Sequence, residues 1–447
     1  MKKLAVALAF LATPLAAQST DPASQVSADS LHNYVARLVS FGTRSTLSTQ
    51  TDPKRGIGAA VDWGADTFRA MSKKCGGCLT VVLPEKMVEG PRIPKPVRLR
   101  DVVAIQKGTE RPNDVVIIQG HIDSRVSDVM NATSDAPGAN DDGSGSAVAL
   151  EAARVMSQHK YPVTVVYALL SGEEQGLYGG KLLADYAKQQ GWNVKAVLNN
   201  DIVGNSCGSD GVCDDTHVRV FSEGPRDDLT DKLRAAQRRD GGENDSPSRN
   251  LSRYIARIAE AHSDGLMVRQ IWRADRMGRG GDQLPFEALG YPAIRFTVAV
   301  ENYNNQHQDL RTENGVEYGD TIDKMDFAYL AKVAQLNIET AERLARTPMP
   351  PAPVVKAAVS TDTLIAWKPV PGATGYSIWQ RRTDAPNWPD KPVIANVVAT
   401  SAKLAHVRGD DWFFGVSSTG PNGEHSPIAS AVPGGQFAPL ASEDDSK

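Results

Sequence analysis

The chain has 447 residues, 41% of them hydrophobic and 23% charged, which is material for one large core and a second, smaller domain. A formal net charge of -4 gives no electrostatic case for binding nucleic acid. No apolar stretch has the length of a permanent membrane anchor.

In chain order, Lys2-Lys3, an apolar run from Leu4 to Leu11 and Thr13-Pro14-Leu15-Ala16-Ala17 read as a signal peptide over 1–17. The double lysine and compact leader look bacterial, so export to the periplasm or beyond is expected. Residues 30–39 have helical spacing and lead into Phe41-Gly42-Thr43-Arg44. Two local cysteine pairs, Cys75/Cys78 and Cys207/Cys213, agree with export, because an even count in an exported chain favours disulfides. Cys75-Gly76-Gly77-Cys78 is also compatible with a redox or zinc motif. Residues 84–96 are a proline- and charge-rich connection, too broken for a long element.

The chemistry-bearing residues come next. Val115-Val116-Ile117-Ile118 is a short β-branched run that delivers His121 and Asp123 just past its carboxyl end. In the loop Pro137-Gly138-Ala139-Asn140-Asp141-Asp142-Gly143, the acidic pair opens a helix in which Val148, Ala152, Val155 and Met156 recur at helical spacing. Residues 163–170 read as a buried strand followed by Glu173-Glu174. Residues 194–198 end in Asn199-Asn200-Asp201, and residues 293–298 precede a polar loop containing His307. Five carboxyl-end loops then converge on one cleft of an α/β fold, a mostly parallel central sheet flanked by helices. Imidazole and carboxylate are donors that zinc accepts, and an ion with an open position makes water a nucleophile near neutral pH. Spacing does not say which of Glu173 and Glu174 binds metal and which moves a proton. Asp123 is placed to accept from the second N–H of His121 and fix its tautomer.

Further along, residues 238–249 are very polar, and their arginines read as a solvated face. Residues 255–259 look helical, as do 330–344. The proline-dense segment 348–354 is a stiff linker, across which few contacts are expected. Beyond it, alternating runs around Trp367, Trp379 and Trp412 describe an all-β sandwich over 355–434, which resembles a fibronectin type III domain with Trp367 as its early core tryptophan. Residues 435–447 read as a disordered tail.

From about Leu31 to about Thr347, the order His121-Ile122-Asp123, Asp141, Glu173-Glu174, Asp201 and His307 resembles the co-catalytic di-zinc aminopeptidases of the bacterial leucyl aminopeptidase type. That group also holds glutamate carboxypeptidase relatives and glutaminyl cyclases. The resemblance implies a catalytic domain over 28–347 with two zinc ions. Asp141 would bridge them, with His121 and Asp201 on one ion, Glu174 and His307 on the other, and Glu173 as general base. Asp123 is carried with Glu173 as the other residue of the catalytic group. Asn140 departs from the usual Asp. Gln283 stands where the family has histidine, which leaves Asp282 as a candidate buttress only. The function implied is an exported aminopeptidase acting on peptides with a free N-terminus, without nucleic acid or membrane anchor. A glutaminyl cyclase with one catalytic zinc, a carboxypeptidase with a cationic clamp, and a non-catalytic binding protein are the alternatives. No cluster of Arg or Lys lies within the ligand loops to grip a terminal carboxylate.

Overall fold

Buried β-branched runs build the central sheet of the chain, whose computed structural model describes residues 21–261 and 265–440. The signal-peptide reading over 1–17 lies outside the described residues. In chain order the first strands are β1 (Thr80–Val82), β2 (Glu85–Gly90), β3 (Ile93–Arg100), β4 (Val102–Gln106), β5 (Arg111–His121), β6 (Val163–Leu170), β7 (Asn193–Asn200), β8 (His217–Phe221), β9 (Met267–Ile271) and β10 (Ala293–Val298). Eight of these form one sheet in the order β1-β4-β6-β5-β7-β10-β8-β9, with the central four parallel. Strand β6 is buried along its whole length, as expected of a strand covered on both faces.

Helices α1 (Ala28–Val39), α2 (Gly56–Lys74), α3 (Gly143–Met156), α4 (Glu173–Gly176), α5 (Tyr178–Gln189), α6 (Asp231–Asp240), α7 (Pro247–Ala261), α8 (Leu284–Ala288) and α9 (Phe327–Arg346) complete this part. Caps set their starts: Ser27 accepts from Ser30 N, and Asp326 accepts from Tyr329 N. Leu330, Val333, Ala334, Ala341 and Leu344 line one stripe of α9 and are buried. Helices α1, α3 and α9 pack on one face of the sheet, α5 and α8 on the other. The chain leaves β5 through α3 to β6 and then returns through α5 to β7, on the other side of β5. The carboxyl end of β5 is therefore the topological switch point, where open α/β sheets form their ligand crevice.

Three expectations change. Residues 84–96 are not a plain connection, because β2 and β3 pair as an antiparallel hairpin with Met87 opposite Arg98 and Gly90 opposite Ile93. A ribbon of two strands tolerates Pro94 and Pro96 because each strand has an edge without a partner. Second, Arg249 is no solvated residue: it is fully buried, donating to Ser222 Oγ at 2.8 Å and Asn244 Oδ1 at 2.9 Å. Third, contacts across the linker are extensive rather than few.

Those contacts come from the carboxyl-terminal domain. After a short hairpin of β11 (Arg311–Glu313) and β12 (Val316–Tyr318), the remaining strands are β13 (Val354–Lys356), β14 (Thr363–Ala366), β15 (Gly375–Arg382), β16 (Ile394–Val397), β17 (Ser401–Leu404), β18 (Trp412–Thr419) and β19 (Ala429–Ser430). They form antiparallel sheets β13-β14-β17 and β16-β15-β18-β19, with Ile365, Trp367, Tyr376, Ile378, Phe414 and Val416 packed between them. Arg381 of β15 reaches the buried Asp245 in front of α7 at 2.5 Å, and Trp388 Nε1 donates to Asn250 Oδ1 at 3.0 Å. Ser430 Oγ and Arg253 also meet Asp245, at 2.8 and 3.4 Å. Residues 435–440, expected in a disordered tail, are held instead: Arg226 donates to the carbonyls of Gly434, Gln436 and Ala438, and Leu440 N donates to Asp228. Residues 441–447 lie outside the described residues.

A buried ion pair that loses one partner leaves an uncompensated charge. Arg381→Ala in the full chain is expected to cost about 3 kcal/mol in urea unfolding. Arg382→Ala, whose pair with Asp411 spans 3.5 Å between exposed side chains, is expected to cost below about 1 kcal/mol.

Candidate metal centre

Parallel register delivers the candidate ligands side by side. His121 is the last residue of β5, Asp201 follows β7, and Glu173 and Glu174 open α4 directly after β6. Asp141 enters from the loop before α3, and His307 from the loop after β10. The approach is close: a Cβ on Gly145 would lie 2.1 Å from Asn200 O, and one on Gly120 would lie 2.4 Å from Gly145 C. Only glycine lets the start of α3 sit on the strand ends.

Asp141 uses its two oxygens in two directions. Oδ1 lies 3.2 Å from His121 Nε2, and Oδ2 lies 3.0 Å from His307 Nε2. Asp201 Oδ1 stands 3.9 Å from His121 Nε2, and Glu174 Oε2 stands 3.2 Å from His307 Nε2. Two groups of donors result, His121/Asp141/Asp201 and Asp141/Glu174/His307, each with ligand atoms within 4.8 Å of one another. His121 Nε2 and Glu174 Oε1 are buried without a hydrogen-bond partner, so the donor set fits cations. Zinc takes such nitrogen and carboxylate donors. Glu173 belongs to neither group, and among the described residues its carboxylate accepts no hydrogen bond and joins no ion pair.

The neighbours of these donors fix them. Asp123 presents its main-chain oxygen to His121 Nδ1 at 3.1 Å and its Oδ1 at 3.4 Å, so backbone and carboxylate share the expected orienting role. Its two carboxylate oxygens also accept from Glu173 N and Glu174 N, each at 3.3 Å. It thereby holds the glutamate turn as well as the imidazole. Asp142 ties three segments together, accepting from His121 N at 2.9 Å, Gly145 N at 2.9 Å and Ile202 N at 3.2 Å. The Asp141–Asp142 peptide is cis.

Charge in the cleft is unbalanced toward the acids. Burial opposes protonation of His121, yet Asp142, Asp123, Asp141 and Asp201 together hold its pKa well above the ordinary value. Burial pushes Glu173 well above the usual carboxylate range, with Asp201 and Glu174 adding to the effect and His121 opposing it. Burial likewise pushes Asp282 up to about 7. Asp282 touches no ligand: it accepts from Gly180 N at 3.1 Å.

A family model described as peptidase family M28 matches residues 101–341. The chain is 42% identical over 415 residues to a probable zinc metalloprotease of Leptosphaeria maculans, covering 92% of this chain and 96% of that protein. It is also 42% identical over 412 residues to one of Pyricularia oryzae, covering 90% and 81% respectively. The chain belongs to peptidase family M28. It is therefore a hydrolase, of a family in which zinc is the implied metal. Among solved structures, the LapA aminopeptidase of Legionella pneumophila shares its fold, with a TM-score of 0.50 at 20% identity over 72% of this chain and 73% of that one.

Three supports of this peptidase's centre escape the sequence reading. Asp320 accepts from Asp141 N at 2.7 Å and from Asn140 N at 3.0 Å, clamping the shared carboxylate from behind. Burial pushes its carboxyl up to about 7 against those two amides. Arg295 on β10 is fully buried and pairs with Asp201 Oδ1 at 2.8 Å and Asp275 Oδ2 at 3.1 Å. Arg44, noted only within its run, donates to the carbonyls of Ile122 at 2.6 Å and Gly138 at 2.8 Å. Asp320 sits in a glycine- and acid-containing loop with no local signal, and Arg295 hides in a strand that reads as purely structural.

Removal of the Asp320 clamp is expected to loosen the shared ligand without unfolding the domain. Asp320→Ala should lower zinc affinity by roughly 10- to 100-fold in competition titrations, with circular dichroism unchanged.

Proposed function

We propose that this chain is an exported aminopeptidase that holds two zinc ions and removes residues from peptides with a free N-terminus. The observation that carries the reading is the split of Asp141, with one oxygen toward His121 and the other toward His307. A carboxylate so divided suits two ions a few ångströms apart. His121 and Asp201 would complete one site, Glu174 and His307 the other. Bound zinc would supply Lewis acidity toward the scissile carbonyl and lower the pKa of water.

The chain's own groups do the rest. Glu173, whose carboxylate has no partner among the described residues, takes the proton of the attacking water and passes it to the leaving amine. Asp123, through the two amides it accepts, keeps Glu173 aimed inward while Glu174 turns to its ligand position. Arg295 holds Asp201 in one rotamer by charge, and Asp320 holds the backbone of Asp141. The acidic groups around Glu173 and Asp201 favour a cationic substrate terminus over a blocked one.

Export is supported by two disulfides, Cys75–Cys78 and Cys207–Cys213, which persist in oxidising compartments. The two metalloprotease relatives are fungal, so the disulfides support an oxidising destination rather than a periplasm in particular. The strand order β13-β14-β17 against β16-β15-β18-β19, with Trp367 in the core between them, supports a fibronectin type III reading of the second domain.

Glu173→Gln is expected to keep its zinc and lose turnover by roughly 10²- to 10⁴-fold, whereas Glu174→Gln should lose zinc. Zinc analysis with a free-amine and an N-acetylated peptide tests both parts. Two equivalents of zinc and cleavage of the free-amine peptide alone are expected. One equivalent with pyroglutamyl product from an N-terminal Gln peptide would overturn the aminopeptidase reading.

A further inference from the structure

The tip of the β2–β3 hairpin brings a cation to the edge of an acid-lined cleft. The hairpin packs Val88, Ile93 and Leu99 against Leu47, Tyr178 and Leu182, and Tyr178 Oη donates to Glu89 O at 3.3 Å. Its turn is thereby fixed against the start of α5, beside the glutamate turn. From that turn Arg92 donates through Nη1 to the main-chain oxygen of Glu174 at 3.0 Å. The Glu174 carboxylate lies against His307, with Oε2 at 3.2 Å from Nε2.

Arg92 is exposed, and among the described residues it makes no ion pair and donates no other hydrogen bond. A guanidinium has five N–H donors in a planar fork, and one Nη1 bond leaves the Nε/Nη2 edge open. That edge matches a carboxylate in a bidentate pair. The acidic groups around Glu173 and Asp201 attract a substrate's ammonium and the charge of Arg92 repels it, so the portion released lies toward the hairpin.

We propose that Arg92 recognises a carboxylate on the leaving portion of the substrate. Both an acidic side chain at the second residue and the terminal carboxylate of a dipeptide offer that chemistry. The assignment rests on the aminopeptidase reading and adds a substrate class to it. It also changes one expectation from sequence: the clamp missing from the ligand loops is supplied by a hairpin some 80 residues upstream of Glu174.

The test compares matched substrates on the zinc-loaded full chain. Leu-Ala is set against Leu-Ala amide, and Leu-Glu-Ala amide against Leu-Gln-Ala amide. The wild-type enzyme is expected to favour the carboxylate-bearing member of at least one pair by roughly 10- to 100-fold in kcat/KM, mostly through KM, as befits a charged hydrogen bond. The first pair reports the terminal carboxylate, the second the side chain. Arg92→Ala should bring both ratios to about one while the amides are cleaved as before, and Arg92→Lys should keep part of the preference. Zinc content should not change in either variant. Ratios near one in the wild type, with free-amine peptides cleaved, overturn the Arg92 assignment alone. A uniform loss on all four substrates, or loss of zinc in Arg92→Ala, makes Arg92 a support of Glu174 and overturns it too. No cleavage of any free-amine peptide overturns the aminopeptidase reading and this assignment with it.

Discussion

Burial of like charge at one sheet edge governs this structure. Asp123, Asp141, Asp142, Glu174, Asp201 and Asp282 are all buried at the carboxyl ends of β5, β6 and β7 or beside them. Anions brought out of water and close together repel one another and lose hydration, so such a set persists only with cations or dense hydrogen bonding. The fold supplies both. Arg295 answers Asp201, backbone amides answer Asp123, Asp142 and Asp320, and the carboxylate oxygens facing His121 and His307 are left for metal. Amides that satisfy a carboxylate without neutralising it are what let the charge survive for the ions.

The second domain is bound to this centre by way of the 222–261 region rather than by the linker. Residues 245–253 carry Asp245, Asn250 and Arg253 into the interface with β15, β19 and the 383–393 loop, and the same region abuts β9 and β10 through α7. Arg295 lies on β10. The sandwich therefore braces the half of the sheet that positions Asp201. The proline segment itself is packed, with Ser418 Oγ donating to Met349 O at 2.7 Å, and just before it Lys195 Nζ donates to Leu344 O at 2.8 Å and Thr347 O at 2.5 Å. A stiff linker composition reports that helix stops there. It does not report whether the next domain swings free.

The candidate ligand positions were legible because each stands at the end of an element that sequence pattern identifies, while their division into two groups came from the family resemblance. Apolar runs mark β5, β6, β7 and β10, and the polar residues just past their carboxyl ends make up most of the site. The α/β class and the helix boundaries of α1 and α9 came from the same periodicities, to within three residues or so. The features that stayed hidden have a common cause: they depend on segments meeting across long stretches of chain. Asp320 is read only once its loop folds over Asn140. Arg249 looks solvent-facing until Ser222, Asn244 and Trp272 close around it. Arg92 looks like part of a broken connection until Val97 pairs with Val88 and turns the segment into a hairpin. Local pattern carries period and punctuation; it does not carry which surface will be covered.

His307 shows how the least protected of the candidate ligands is held. It is the most exposed of the five, at 30% of its side chain, and its φ of 53° lies in the left-handed region that a non-glycine residue enters at a cost. Three attachments around the loop meet that cost. Glu301 gathers Arg219 at 2.6 Å, Arg279 at 2.9 Å and Arg276 at 3.2 Å, while Gln306, the residue before His307, donates to the same carboxylate at 3.0 Å. Asn302 donates to Cys207 O at 3.3 Å, which ties the loop to the Cys207–Cys213 clip. On the far side Ser127 donates to Asp309. Asn205 donates to that same Cys207 oxygen at 2.9 Å and accepts from Asn140, so the clip touches both the loop of His307 and the loop of Asp141. The disulfide is thus placed where it fixes the separation of the two loops that carry His307 and Asp141, and a candidate ligand on a loop gains the rigidity that strands give to His121 and Asp201.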